Sequence, residues 1–254
     1  MKAQDTKNIF EANKDIQFCG AGLLNYTIKI SSVISKKHKL NPSRKLSTVF
    51  TPIRIILDTT YFEEQGNQLS NISDKVSMLK EAMTKAVDAL KNILEVEDYG
   101  NDIFGDLNEL FVTYKINKWS PLLDDKSNIP ADFIILAKFE DLPTGVLAAA
   151  MPVLLYKYTN RPIAGLLSVS TNPNFYSNTN SKEYFSIVFL HELTHALGFL
   201  ESMYPYFPQG INNIIMKKTI RGKLRTLIKT PKVVERARKY FIKIKRISII
   251  LILK

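Results

Sequence analysis

Two histidines four residues apart, with a glutamate directly after the first, form the clearest catalytic pattern in this sequence: His191-Glu192-x-x-His195. Residues four apart share one face of a helix, so both imidazoles could reach a single zinc ion in tetrahedral geometry. Zinc lowers the pKa of a coordinated water to roughly 7 and polarises a peptide carbonyl, which favours hydroxide attack at neutral pH. Glu192 is expected to take the water's proton and pass it to the leaving amine as general base and then general acid.

The same spacing would also arise in a helix that merely carries two partly exposed histidines. The flanking residues favour the metal-binding interpretation, because they predict a helix over residues 181–197. Asn180 is a suitable N-cap, with Glu183 in the capping-box position three residues later. Gly198 stands where the end of a helix often needs a left-handed residue.

The remaining elements predict an α+β fold, a twisted sheet with two long helices of which the second bears the metal. Strands are predicted at 52–57, 132–139 and 163–169, each rich in consecutive apolar residues. A long amphipathic helix is predicted after Ser73, with 98–128 as a loop-like stretch and a shorter helix opening at Pro231. The long helix places six apolar residues on one face: Val76, Leu79, Met83, Val87, Leu90 and Leu94.

The positive charge of the chain is concentrated at one end. The formal net charge is +11, and residues 211–254 hold 14 Lys and Arg against the single acid Glu235. That segment therefore carries +13, and the other 210 residues carry −2, the difference from +11. Such a basic segment could meet phosphates or an anionic membrane surface, but a solvated lysine-rich tail is the favoured interpretation and nucleic-acid binding is not expected.

Three divisions of the chain are predicted: a polar leader or pro-like arm at 1–45, a catalytic subdomain at 46–210, and a basic, truncated segment at 211–254. Cys19 is the sole cysteine, which excludes an intrachain disulfide and cysteine-rich zinc sites. The N-terminus lacks the apolar core of a signal peptide, and no stretch approaches the length of a membrane-spanning helix.

The motif and its surroundings resemble the leishmanolysin family of surface metalloproteases, as found in protists. His191-Glu192-x-x-His195-x-x-Gly198 opens the metzincin signature, and matches to the family extend in order from about 50 to 241, including 160–165 and 189–199. The resemblance implies a metzincin-like twisted mixed sheet with a long backing helix, an active-site helix and an incomplete C-terminal subdomain. It also implies zinc as cofactor, protein or peptide substrates, a cell-surface, membrane-associated or secreted location, and a role in cell adhesion.

The third zinc ligand departs from the metzincin pattern. Most metzincins have a histidine three residues after the glycine, where this chain has Glu201, and no histidine follows His195. Glu201 is therefore the candidate third ligand, although it could equally be an exposed loop acid. His38 is expected to be a solvated surface residue. Cys19 could act as an inhibitory leader thiolate, although an inert thiol is the simpler interpretation.

Two functions follow from these residues. The first is a zinc-dependent metalloendopeptidase that hydrolyses internal peptide bonds, with His191, His195 and Glu201 as ligands and Glu192 as the catalytic base. The second is a catalytically impaired member of the same family, which keeps the fold as an adhesion or binding protein because its metal site is incomplete.

Overall fold

The computed structural model of the chain describes residues 29–30, 50–101, 103–125, 128–176, 181–207, 214–241 and 251–252. Within it the chain divides into two compact units, Met1–Gly198 and Phe199–Lys254. The predicted division at 45 and 210 stays a prediction of domain organisation.

The first unit contains most of the secondary structure. Its described strands are β1 (Lys29–Ile30), β2 (Phe50–Pro52), β3 (Ile55–Asp58), β4 (Glu95–Glu97), β5 (Phe133–Glu140), β6 (Ala148–Leu155) and β7 (Pro162–Ser170). Its described α-helices are α1 (Thr60–Gln68), α2 (Val76–Lys91), α3 (Asn108–Tyr114) and α4 (Lys182–Ala196). Short 3-10 helices lie at Ser73–Lys75, Pro121–Leu123 and Pro173–Tyr176.

A five-stranded mixed sheet in the order β1-β6-β7-β5-β3 organises this unit. Strands β3, β5 and β7 run parallel, and β6 pairs antiparallel with β7. Strand β1 pairs in parallel with the far end of β6, at Leu154 and Leu155. The combination of helices and a mixed sheet confirms the predicted mixture of α and β structure.

Helices α2 and α4 cover one face of the sheet. The alternate residues Phe133, Ile135, Ala137 and Phe139 of β5 belong to the same buried cluster as the inner faces of both helices. Five of the six residues predicted on the inner face of the long helix are buried in α2, and Leu94 packs against the cluster beyond the helix end. Burial of apolar area on this scale is the main force that holds α4 on the sheet.

The structure differs from the predicted elements in several places, and helix α1 and the hairpin of residues 215–228 are among the elements that were not predicted. The predicted strand at 52–57 is two strands, β2 and β3, broken at Arg54, whose backbone N–H and guanidinium both donate to Asp132. The loop-like stretch at 98–128 contains helix α3. Strand β6 was not predicted, because its alanines and Pro152 are poor strand signals; Pro152 stands next to an irregularity in the register, where a strand tolerates proline.

The second unit contains strands β8 (Ile215–Ile220), β9 (Lys223–Ile228) and β10 (Leu251–Ile252), helix α5 (Pro231–Phe241) and a 3-10 helix at Glu201–Tyr206. Strands β8 and β9 form an antiparallel hairpin, and β10 adds to β9. Helix α5 begins at Pro231, as predicted. Across the described ranges, no helix is both long and apolar enough to cross a membrane.

Several predictions concern residues outside the described ranges. Cys19, His38 and Asn180 are among them, as is most of the predicted leader at 1–45. Of that leader the structure describes only β1.

Candidate metal centre

Helix α4, which carries both histidines of the motif, begins at a side-chain cap. Ser181 is the N-cap, and its hydroxyl oxygen accepts the backbone N–H of Tyr184 at 3.3 Å. Such a cap satisfies one of the free N–H groups in the first turn of a helix. The start of the helix is therefore fixed by Ser181, one residue later than the predicted cap.

Ion pairs join the first turn of α4 to α2. Lys182 Nζ lies 2.8 Å from Glu81 Oε2, and Lys85 Nζ lies 3.3 Å from Glu183 Oε1. The pKa of Glu183 is lowered by its own backbone N–H and then by Lys85, and the pKa of Lys182 is raised by Glu81. These pairs are exposed, so they help to set the register of the two helices but add little stability.

The last turn of α4 lies directly on the sheet at Gly165 of β7. A Cβ atom added to Gly165 would lie 2.8 Å from Ala196 Cβ and 2.9 Å from Phe133 Cζ, both closer than real Cβ contacts. Only a residue without a side chain allows this approach. Since Ala196 directly follows His195, the contact sets the height of the second imidazole above the sheet.

The two imidazoles face one another across one turn of α4. His191 Nε2 and His195 Nε2 lie 3.2 Å apart, and the ring planes are nearly perpendicular at 85°. The His191 side chain is 56% exposed and His195 is half-buried. The helix therefore brings together the two residues that the spacing predicted on one face.

This separation fits a shared zinc ion. Two nitrogens bound to one tetrahedral zinc at about 2.0–2.1 Å lie about 3.3–3.4 Å apart, close to the observed 3.2 Å. Neutral imidazole nitrogens are ordinary zinc donors. Among the described residues, His191, Glu192 and His195 form a group whose ligand atoms all lie within 4.8 Å of one another. The donor set thus suits zinc, and the ligand roles stay a prediction.

Glu192 lies beside the imidazoles but points into the protein. Its carboxylate has no exposed surface, and Oε1 lies 3.9 Å from His191 Nε2. The other oxygen, Oε2, accepts the backbone N–H of Ala150 in β6 at 3.1 Å. A hydrogen bond from a buried backbone donor to a carboxylate is strong and holds the side chain in one orientation.

The sequence contained no direct sign of the Ala150 contact. A backbone N–H belongs to every residue except proline, so the identity of residue 150 does not show that it holds Glu192. The available signal was the apolar run 146–155, every residue of which is buried. That run is long enough for a buried strand.

Glu201, the predicted third ligand, is the exposed first residue of the 3-10 helix Glu201–Tyr206 in the second unit. His191, Glu192 and His195 all belong to the first unit. Gly198, where that unit ends, has φ 100° and donates its N–H to the His195 carbonyl at 2.9 Å. The left-handed helix end predicted at Gly198 is confirmed, and the ligand role of Glu201 stays a prediction.

Comparison with known proteins identifies the family of the chain. The family profile of leishmanolysin matches residues 69–245, which includes β5, β6, β7 and all of α4. No curated protein matches the chain at a significant level. Leishmanolysins are zinc metalloproteases, so a pair of imidazoles beside a carboxylate is the arrangement their chemistry needs. Since the match covers well over half of the sequence, this chain belongs to the leishmanolysin family.

Proposed function

We propose that the protein is a zinc-dependent endopeptidase that hydrolyses internal peptide bonds of protein or peptide substrates. The observation that carries the proposal is the 3.2 Å separation of two Nε2 atoms on one helix, with the Glu192 carboxylate beside them. Membership of the leishmanolysin family supports the same conclusion.

His191 and His195 would hold the metal, and Glu192 would serve as the proton acceptor. When bound, zinc supplies a Lewis acid that lowers the pKa of a water to about 7 and polarises the scissile carbonyl. Glu192 Oε2 is held by Ala150, which leaves Oε1 as the oxygen nearest the imidazoles. Glu192 would accept a proton from the attacking water there and deliver it to the amine that leaves.

The sheet and its two helices suit a metzincin-like arrangement. A mixed sheet with one antiparallel strand, β6, carries α2 and α4 on the same face. The turn of the signature, from His195 to Gly198, closes α4 with a left-handed glycine. We propose Glu201 as the third ligand, because a carboxylate oxygen is an accepted zinc donor and Glu201 occupies the signature position.

A second candidate is a family member that binds proteins, for example in cell adhesion, without cleaving them. The observation in its favour is the burial of Glu192, whose carboxylate has no surface open to water. A base without access to water cannot take a proton from it unless the side chain or its surroundings move. Either candidate would act at the cell surface or outside the cell, where leishmanolysins are typically anchored.

Metal analysis joined to a peptidase assay tests the proposal. We expect the full chain to retain one zinc per molecule after dialysis and to cleave an internally quenched peptide at an internal bond, identified by mass spectrometry of the products. His191→Ala should lose both the zinc and the cleavage, whereas substitution of an exposed lysine outside the motif, Lys157→Gln, should lose neither. Stoichiometric zinc with no cleavage of any substrate would favour the binding protein, and absence of zinc would exclude the endopeptidase.

A further inference from the structure

The hairpin of β8 and β9, called the basic hairpin here and comprising residues 215–228, carries concentrated positive charge. Its cations are Lys217, Lys218, Arg221, Lys223 and Arg225. The segment 202–234 contains no aspartate or glutamate, so no acid within the hairpin compensates them. All of these cations except the half-buried Arg225 are exposed.

Two of the cations lie directly opposite one another on neighbouring strands. Lys218 pairs with Arg225 in the antiparallel register, and Ile220 pairs with Lys223 on the same face. Like charges at directly opposed positions destabilise a sheet. No acid between residues 202 and 234 offsets this repulsion, so the approach of a negatively charged surface to the hairpin would relieve it.

An exposed apolar side chain stands among these cations. Leu224 is 68% exposed and lies between Lys223 and Arg225 at the start of β9. The turn at Arg221 and Gly222, where φ is 50° and 74°, has two left-handed residues, as in the tight hairpin turns that match strand twist. Leu224 pairs with Thr219, so it shares a face of the hairpin with Lys217 and lies on the face opposite Lys218 and Arg225. The hairpin therefore presents a narrow tip that carries an exposed leucine on one face and cations on both faces.

We propose that the basic hairpin docks on an anionic lipid surface, with its cations at the lipid phosphates and Leu224 in the interfacial layer. This combination of aliphatic and basic side chains is the one that interfacial membrane segments use. A nucleic acid fits less well, because residues 214–230 contain no aromatic side chain on which a base could stack. The proposal concerns the second unit and is independent of the zinc site.

Sedimentation of the full chain with lipid vesicles tests this surface. Binding is expected to vesicles that contain phosphatidylserine and not to pure phosphatidylcholine, and it should weaken as salt rises. Each basic residue near an anionic surface strengthens binding by a factor of about five, so Lys218→Gln with Arg225→Gln should weaken it about 25-fold. Folding is not at risk, since this change removes the cross-strand repulsion.

Two further variants separate charge from apolar insertion. Leu224→Ser keeps the charge and should weaken binding about ten-fold, with the salt dependence unchanged. Lys91→Gln with Lys157→Gln removes the same charge from a half-buried and an exposed position of the first unit and should leave binding within about two-fold of wild type. Equal losses in this control and in the hairpin variant would overturn the proposal. A hairpin-dependent affinity for a single-stranded oligonucleotide, with no affinity for either vesicle, would instead assign the surface to nucleic acid.

Discussion

The hydrogen bond from Ala150 to Glu192 allows the chemical role of the glutamate to be separated from its structural role. Glu192→Gln keeps a carbonyl oxygen that can accept the Ala150 N–H but cannot accept a proton as a base. Glu192→Ala removes the acceptor and leaves a buried N–H without its partner. The two variants should therefore have the same defect in catalysis and different defects in stability.

The magnitudes follow from the burial of this contact. A buried donor left unsatisfied costs about 1–3 kcal/mol, whereas exchange of a charged acceptor for a neutral one costs about 1 kcal/mol. For a unit of roughly this size, 1 kcal/mol shifts the melting temperature by about 2–4 °C. At about 2 kcal/mol, Glu192→Ala should melt about 4–8 °C below wild type, and Glu192→Gln about 2–4 °C below.

Thermal unfolding, zinc content and peptidase rate measured on the same three proteins provide the assay. General base catalysis contributes about 10²–10⁴ in rate, so both variants should lose at least about 100-fold in kcat/KM while retaining zinc. Turnover by Glu192→Gln at the wild-type rate would refute the assignment of Glu192 as the base. Equal melting temperatures for the two variants would refute the structural importance of the Ala150 contact.

Two other substitutions test how the site is built. Gly165→Ala should destabilise the protein by about 1–3 kcal/mol and weaken zinc binding, because the new methyl group displaces Ala196 and with it the neighbouring histidine; Gly222→Ala, strained only by its backbone, should lower the melting temperature without changing zinc affinity. Glu201→Ala should weaken zinc binding by more than about ten-fold, the smallest loss usual for outer-shell partners, whereas Glu235→Ala should have no effect. Zinc titration against a competing chelator measures the zinc affinity of each variant. An unchanged affinity in Glu201→Ala would remove Glu201 from the site, and an unchanged affinity in Gly165→Ala would show that α4 adapts to the added methyl group.

The predictable parts of the fold are those whose local signal agrees with their final environment. Helix α4 was predicted because capping residues, the spacing of the histidine motif and Gly198 agree, and β5 because its apolar residues are continuous. Strand β8 and its partner were missed because lysines and arginines interrupt their apolar residues. The available signal for this hairpin was Gly222, which suits a tight two-residue turn. Arginine, however, is not among the residues that usually precede glycine in such a turn.

The candidate site was predictable to a similar degree. Helical spacing alone was enough to predict that His191 and His195 share a face, because this follows from the geometry of one turn. The burial of Glu192 was not predictable, because it depends on which strand lies beneath the helix. Tertiary contacts with a backbone group leave no trace in the spacing of the motif.

The position of Ala150 explains why the sheet matters to the chemistry as well as to stability. In β6, Ala150 and Pro152 are two residues apart, so their backbone nitrogens point the same way, and proline has no N–H to donate. Proline is tolerated in a strand where its nitrogen does not have to donate a hydrogen bond to a neighbouring strand. This agrees with an edge of β6 on which the nitrogens of Ala150 and Pro152 point away from β7. The Ala150 N–H on that edge is free to bind Glu192, so the antiparallel register of β6 determines where the carboxylate of Glu192, the proposed base, is held. A change that shifted this register by one residue would turn the donor at position 150 toward β7 and release the carboxylate, although every residue of the zinc motif remained in place.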